Sequence, residues 1–188
     1  MKKLKIILLS SMAIMTLGIG TVSANTKIDA AKYVDNVQDL QKILTDKNKG
    51  FILEEVKVEN NKDNTKQPIY KIDGFNKNKT EEVEMKVNAD KTSDIIKNKT
   101  ESMDSGDKQE AIGINVNDVK KNPKDAITLA KKYSNENINP SKWLLEMDKV
   151  NGKEQPVYKV KFKISKHSDK IVTLSAINGD EISIEYDN

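Results

Sequence analysis

The sequence contains no cysteine and no arginine, and it has only one histidine and one tryptophan. Each absence removes a class of function. Without cysteine there is no disulfide framework, no thiol redox chemistry and no cysteine-based zinc site. All 32 basic residues are lysine. The guanidinium fork that reads guanine, phosphate or carboxylate with two parallel bonds is therefore missing, which argues against specific nucleic-acid recognition. His167 alone cannot supply a zinc ligand set. It lies in the polar run Ser165-Lys166-His167-Ser168-Asp169, with no strained nucleophile turn and no oxyanion donors, so it reads as an exposed loop residue. There is no glycine-rich phosphate loop. The adjacent carboxylates Glu54-Glu55 and Glu81-Glu82 fall in strand-like runs, where neighbours point to opposite faces and cannot share one bond as acid and base. Asp104-Ser105-Gly106-Asp107 and Asp63-Asn64 offer oxygen ligands without calcium-loop spacing. The sequence thus predicts no catalytic residue, no cofactor site and no metal site, and so no enzyme.

Long apolar runs are also scarce. The one at the N-terminus, Ile6 to Ile19, follows Lys2, Lys3 and Lys5 and precedes Val22-Ser23-Ala24. Cationic start, short apolar centre and small-residue exit are the pattern of a secretory signal peptide cleaved near Ala24. The run is shorter than the ~20 residues that span a bilayer, so no membrane span is expected after cleavage. A lipid-anchored form would need a cysteine just after the cleavage point, and none is there. The expected location is extracellular, secreted or associated with the cell envelope. The formal charge of +3 belongs to those three lysines; without them 29 lysines face 29 acidic residues, and the remaining chain is near neutral.

What is present is internal similarity. Gln67-Pro68-Ile69-Tyr70-Lys71-Ile72 returns as Gln155-Pro156-Val157-Tyr158-Lys159-Val160, and Ile52-Leu53-Glu54 as Leu144-Leu145-Glu146. This predicts an α+β protein of two tandem repeats, each with one helix packed on one face of its own three- to four-stranded antiparallel sheet. Repeat one covers 25–100, a polar linker 101–114, and repeat two 115–188. In repeat one, Val37, Leu40, Ile43 and Leu44 make a helical stripe over about Ala30 to Asp46, capped by Asp35 or Asn36 and ended by Gly50. Strands follow at Phe51–Glu59, Pro68–Phe75 and Glu81–Ala89, with a short fourth around Ile95-Ile96. In repeat two, Asn122-Pro123 opens a helix carrying Ala126, Leu129, Ala130 and Tyr133. Strands are expected at Trp143–Val150, Pro156–Ser165, Lys170–Ile177 and Glu181–Tyr186, with turns at Asn151-Gly152 and Asn178-Gly179. The first strands fit together poorly: Trp143, Leu145 and Met147 share a face, whereas Phe51, Leu53 and Glu55 are their counterparts.

Asp125-Ala126-Ile127-Thr128-Leu129-Ala130, then Trp143-Leu144-Leu145-Glu146, Pro156-Val157-Tyr158-Lys159-Val160 and Ala176-Ile177-Asn178-Gly179-Asp180 resemble the helix, strands and closing turn of the PepSY domain family. Gln38-Asp39-Leu40-Gln41-Lys42-Ile43 and Asn88-Ala89-Asp90-Lys91 match it less closely, lacking the family's alanines and its glycine. The resemblance implies a module found in propeptides of thermolysin-type metallopeptidases and in bacterial cell-envelope proteins, thought to restrain peptidases or bind peptides, with no catalytic residues of its own.

These features predict a secreted, non-enzymatic module that binds a protein or peptide, with a secreted peptidase as the partner it would inhibit or regulate. Strand addition or the exposed sheet face would provide the contact. The alternative is a cell-envelope scaffold that binds wall polymer or a surface protein through lysine-rich faces. Lys159, Lys161 and Lys163 alternate with Tyr158, Val160, Phe162 and Ile164, so they form a solvated row and are the candidate partner-binding residues. Cross-strand pairing with Glu181, Ser183 and Glu185 is the plainer reading of that row. Tyr70, Trp143, Tyr158 and Phe162 fall on the apolar parity and are expected in the core.

Overall fold

The computed structural model describes residues 28–62 and 67–187. The expected signal peptide and Asp63-Asn64 lie outside the described residues.

A single helical turn, Ala30–Lys32, precedes an extended step to Asn36. Helix α1 (Val37–Lys47) starts only there, because the Asn36 side chain accepts from the Gln38 N–H at 3.2 Å and caps the helix. It buries Val37, Leu40 and Leu44, the predicted stripe. Gly50 takes φ +82° in the turn beyond it. Four strands follow: β1 (Phe51–Asn60), β2 (Pro68–Asn76), β3 (Glu81–Asn88) and β4 (Ile95–Ser102). A short helix α2 (Ser105–Glu110) lies in the expected linker. Helix α3 (Pro123–Ser134) has Asn122 as its cap. Four more strands complete the chain: β5 (Lys142–Val150), β6 (Lys153–Lys163), β7 (Asp169–Ser175) and β8 (Glu181–Asp187).

The strands do not form two sheets. They form one eight-stranded antiparallel sheet in the order β4-β3-β2-β1-β5-β6-β7-β8. The expectation of two tandem repeats, each with its own helix-covered sheet, is therefore wrong. The joint is a seam where Val56, Lys57 and Val58 of β1 pair with Leu145, Leu144 and Trp143 of β5. One hydrophobic core runs across it, from Leu40, Leu44 and Met85 on one side to Ala126, Ala130 and Leu174 on the other. Joining two small sheets edge to edge removes two open edges and lets one apolar layer serve both halves.

The misfit of the first strands has a physical cause. β1 carries a bulge at Glu54, between the pairs Leu53↔Gly74 and Glu55↔Asp73. One extra residue moves the following parity by one, so Leu53, Val56 and Val58 all reach the helix-bearing side. The residues opposite the two matching tyrosines are Val58 for Tyr70 and Leu145 for Tyr158. The sequence match of Leu53 with Leu145 therefore does not mark equivalent places in the sheet.

Tyr70, Trp143 and Tyr158 stand in line across the seam, fully buried, with ring centroids 6.1 and 6.2 Å apart. Their polar atoms anchor the segments that enter the helices. Tyr70 Oη accepts from the Asp35 N–H at 3.1 Å, Tyr158 Oη donates to the Lys121 carbonyl at 2.9 Å, and Trp143 Nε1 donates to the Tyr33 carbonyl at 2.7 Å. Phe162 is buried as well. On the opposite side of the sheet, Ile52, Phe75, Met103 and Ala111 make a small separate cluster beside α2. From there the chain passes to the main core, where Ile114, Val116 and Val119 are buried. On the way the Ile114 N–H donates to the Leu53 carbonyl at 2.7 Å, filling the place beside β1 that β5 leaves open.

Candidate functional site

The sheet side away from α1 and α3 is the solvated face on which the sequence placed its lysine row. Strand register extends that row beyond β6. Lys97, Lys86, Lys71 and Lys57 are successive cross-strand partners from β4 to β1, followed across the seam by Leu144 and Lys159. Carboxylates interleave with them. Lys57 pairs with Glu55. Lys71 reaches Asp73 at 2.6 Å and Glu84 at 3.2 Å, and Lys97 reaches Glu84 at 2.5 Å. Burial disfavours ionised Glu84, but the bonds and charges of Lys97 and Lys71 outweigh it and hold the carboxyl at about 2.

Two of the three residues singled out from the sequence lie in this lattice. Lys159 bonds Glu146 at 2.5 Å and Asp148 at 3.1 Å. Lys161 bonds Asp169 at 2.7 Å and reaches Asp187 at 3.4 Å. Lys163 pairs in register with Asp169 and lies at the end of β6, next to the exposed hairpin that carries His167. For Lys159 and Lys161 the expected partners Glu181, Ser183 and Glu185 are not the ones used: β7, not β8, is the neighbour of β6, and the β8 acid that Lys161 reaches across it is Asp187. The row is a charge-compensated surface rather than a set of bare cations. These pairs are half-buried and have already given up part of their water; a partner lying flat on the face must strip the rest, which costs more than it returns unless the geometry matches.

One corner of the face differs. Glu54, set in the bulge of β1, has no ion pair among the described residues. Burial, together with the negative charges of Asp73, Glu55, Glu82 and Asp107, pushes its carboxyl up to about 7. Burial also raises Glu82, with help from Asp107, Glu101 and Asp104. Asp104 and Asp107, which the sequence offered as oxygen ligands, serve α2 instead. Asp104 accepts from the Gly106 and Asp107 N–H groups at 2.7 and 3.0 Å, and Asp107 accepts from the Asp104 N–H at 3.2 Å, a capping box. Among the described residues no cluster of three metal-ligating side chains occurs, and no helix is long and apolar enough to cross a membrane.

The remaining reactive surface is backbone. β4 and β8 are the outer strands, and among the described residues no strand pairs with the far edge of either. Sequence reasoning read β4 as two residues and placed a linker from Glu101, because Lys97-Asn98-Lys99-Thr100-Glu101-Ser102 shows no apolar alternation. An edge strand with both sides wet needs none. Tyr186 of β8 is 62% exposed.

No family model matches the chain. No curated protein matches it either. Among solved structures it is similar to the crystal structure of a "putative lipoprotein" from Clostridium difficile 630, with 22% identity and a TM-score of 0.65, over 82% of this chain and 95% of that one. At that identity the likeness establishes a shared fold.

Proposed function

We propose that this chain is an exported, non-enzymatic binding protein of the cell envelope or its surroundings that takes a protein or peptide as an added strand. The observation that carries this is the pair of open sheet edges, β4 and β8, bordering a face whose charges are already matched. Edge addition gains backbone hydrogen bonds without undoing those pairs. The N-terminal signal pattern and the description of the structural neighbour as a lipoprotein support the compartment. This sequence has no cysteine to carry a lipid, so the neighbour's mode of anchoring is not carried over. The resemblance to PepSY domains supports a narrower role, in which the partner is a secreted peptidase regulated in trans.

The rival reading, a scaffold that holds anionic wall polymer on its lysine face, is disfavoured by the engagement of Lys159 and Lys161 with four carboxylates. The deciding experiment uses the exported protein as bait against the secreted proteins of the producing cell, at low and physiological salt. Capture of a peptidase at both salts, with loss of its activity, is the expected result. Capture of polymer that disappears at physiological salt would favour the rival.

A further inference from the structure

The two open edges are chemically opposite. Each carries a bulge against its neighbour, at Ile96 in β4 and at Ile182 in β8, and beyond the bulge each is regular. The regular part of β4 is Lys97-Asn98-Lys99-Thr100-Glu101-Ser102; that of β8 is Ser183-Ile184-Glu185-Tyr186-Asp187. Lys97, Lys99 and Glu101 share the solvated face, as partners of Lys86, Glu84 and Glu82. Ser183, Glu185 and Asp187 share the same face, as partners of Thr173, Ile171 and Asp169. Every neighbouring pair in the sheet is antiparallel, so β4 and β8, at opposite ends of eight strands, run in opposite directions. A second molecule in the same orientation can therefore set its β4 beside β8 and continue the alternation.

One register satisfies the charges. With Lys97 opposite Asp187, Lys99 meets Glu185 and Glu101 meets Ser183; Lys97 and Asp187 add this contact to those they already make with Glu84 and Lys161, and the exposed Lys99 exchanges Glu101 of its own strand for Glu185. On the other face Asn98 meets Tyr186 and Thr100 meets Ile184. Moving two residues one way sets Glu101 against Glu185; moving two the other way leaves Asp187 without a lysine. Pairing like with like satisfies less: β8 with β8 about Glu185 sets carboxylate against carboxylate, and β4 with β4 either sets Lys99 against Lys99 or, about Thr100, matches Lys99 with Glu101 but leaves Lys97 beyond the pairing and both β8 edges open. Cross-strand opposite charges favour a register and like charges disfavour it.

We propose that the β8 edge of one molecule receives the β4 edge of a second copy in this register, so that molecules join head to tail in an open series. The interface is heterologous, and each addition leaves the same two ends free. This rests on the reading of the edges as strand acceptors and names one occupant for them.

The test is sedimentation of the exported protein over a range of concentration and salt, with circular dichroism to show that each variant is folded. Mass should climb beyond the dimer with concentration and fall back at high salt. Lys99→Glu and Glu185→Lys should each give monomer. Mixed one to one, the two variants should grow again as an alternating series, since each edge of one then faces an edge of opposite charge on the other. Both changes in one chain should restore growth. A wild-type chain that stays monomeric, a dimer that closes at two, or association that ignores both variants would overturn the proposal. Capture of a partner by molecules that remain monomeric would leave the strand-addition reading standing while this one falls.

Discussion

Glu54 exists as a separate case because a bulge residue has no cross-strand partner to supply a cation. Its carboxyl is held up at about 7 against an ordinary 4.5. Between those pH values the folded chain keeps a proton that the unfolded chain has released, so this group's contribution to stability falls as pH rises through the window. Glu54→Gln should therefore stabilise the protein at pH 8 by about 1–2 kcal/mol, after allowance for partial solvent screening. The advantage should shrink towards zero at pH 4.5. Urea midpoints of the two proteins at both pH values check it. Glu84 behaves in the opposite sense. Held at about 2 by Lys97 and Lys71 against its burial, it contributes stability above pH 4.5 that is lost as pH falls towards 2. The anchoring hydroxyls give a second residue-scale expectation. Tyr158→Phe leaves the Lys121 carbonyl without its buried donor and should cost about 1–2 kcal/mol. The fluorescence of Trp143, the sole tryptophan, provides the readout.

At the scale of elements, β2 shows how closely helix and sheet approach. A Cβ at Gly74 would stand 2.5 Å from the Ile52 carbonyl oxygen and 3.0 Å from Leu44 Cδ2. The first is backbone and cannot swing away. Gly74→Ala should cost about 2–3 kcal/mol. Gly152, in the β5–β6 turn at φ +81° with open space around it, should lose only about 1 kcal/mol on the same change. Thermal melts of the two variants should rank in that order. The hairpins were readable for the same local reasons: Asn151-Gly152 marks its turn, and the alternation of Tyr158, Val160 and Phe162 marks β6. Helix α3 was readable from Asn122-Pro123. Ala30 misled, because an alanine pair favours helix but the cap at Asn36 fixes the start seven residues into the segment. Ile164 misled too, standing exposed beyond the end of β6. β4 went largely unread because a strand wet on both sides has no pattern to show.

For the whole molecule, the seam decides. Three residue pairs join strands that lie far apart in sequence, and no local signal announces them; internal similarity pointed to two units where the core makes one. The solvated face was legible as a lysine row but not as a paired lattice, since the acids that compensate Lys159 and Lys161 come from other strands, β5, β7 and β8. One continuous core predicts one cooperative transition. Trp143 fluorescence, which reports the seam, and far-ultraviolet circular dichroism, which reports all strands, should give coincident urea curves. Two separated transitions would contradict a single unit.

The order of the strands also bears on how the chain comes into being. A polypeptide emerging N-terminus first presents β1 to β4 long before β5 arrives, so the Val56-Lys57-Val58 edge stands open, with its apolar side bare, until Trp143, Leu144 and Leu145 appear. A half-made molecule is thus a stickier object than a finished one. Its safe passage depends on how quickly the second half follows the first.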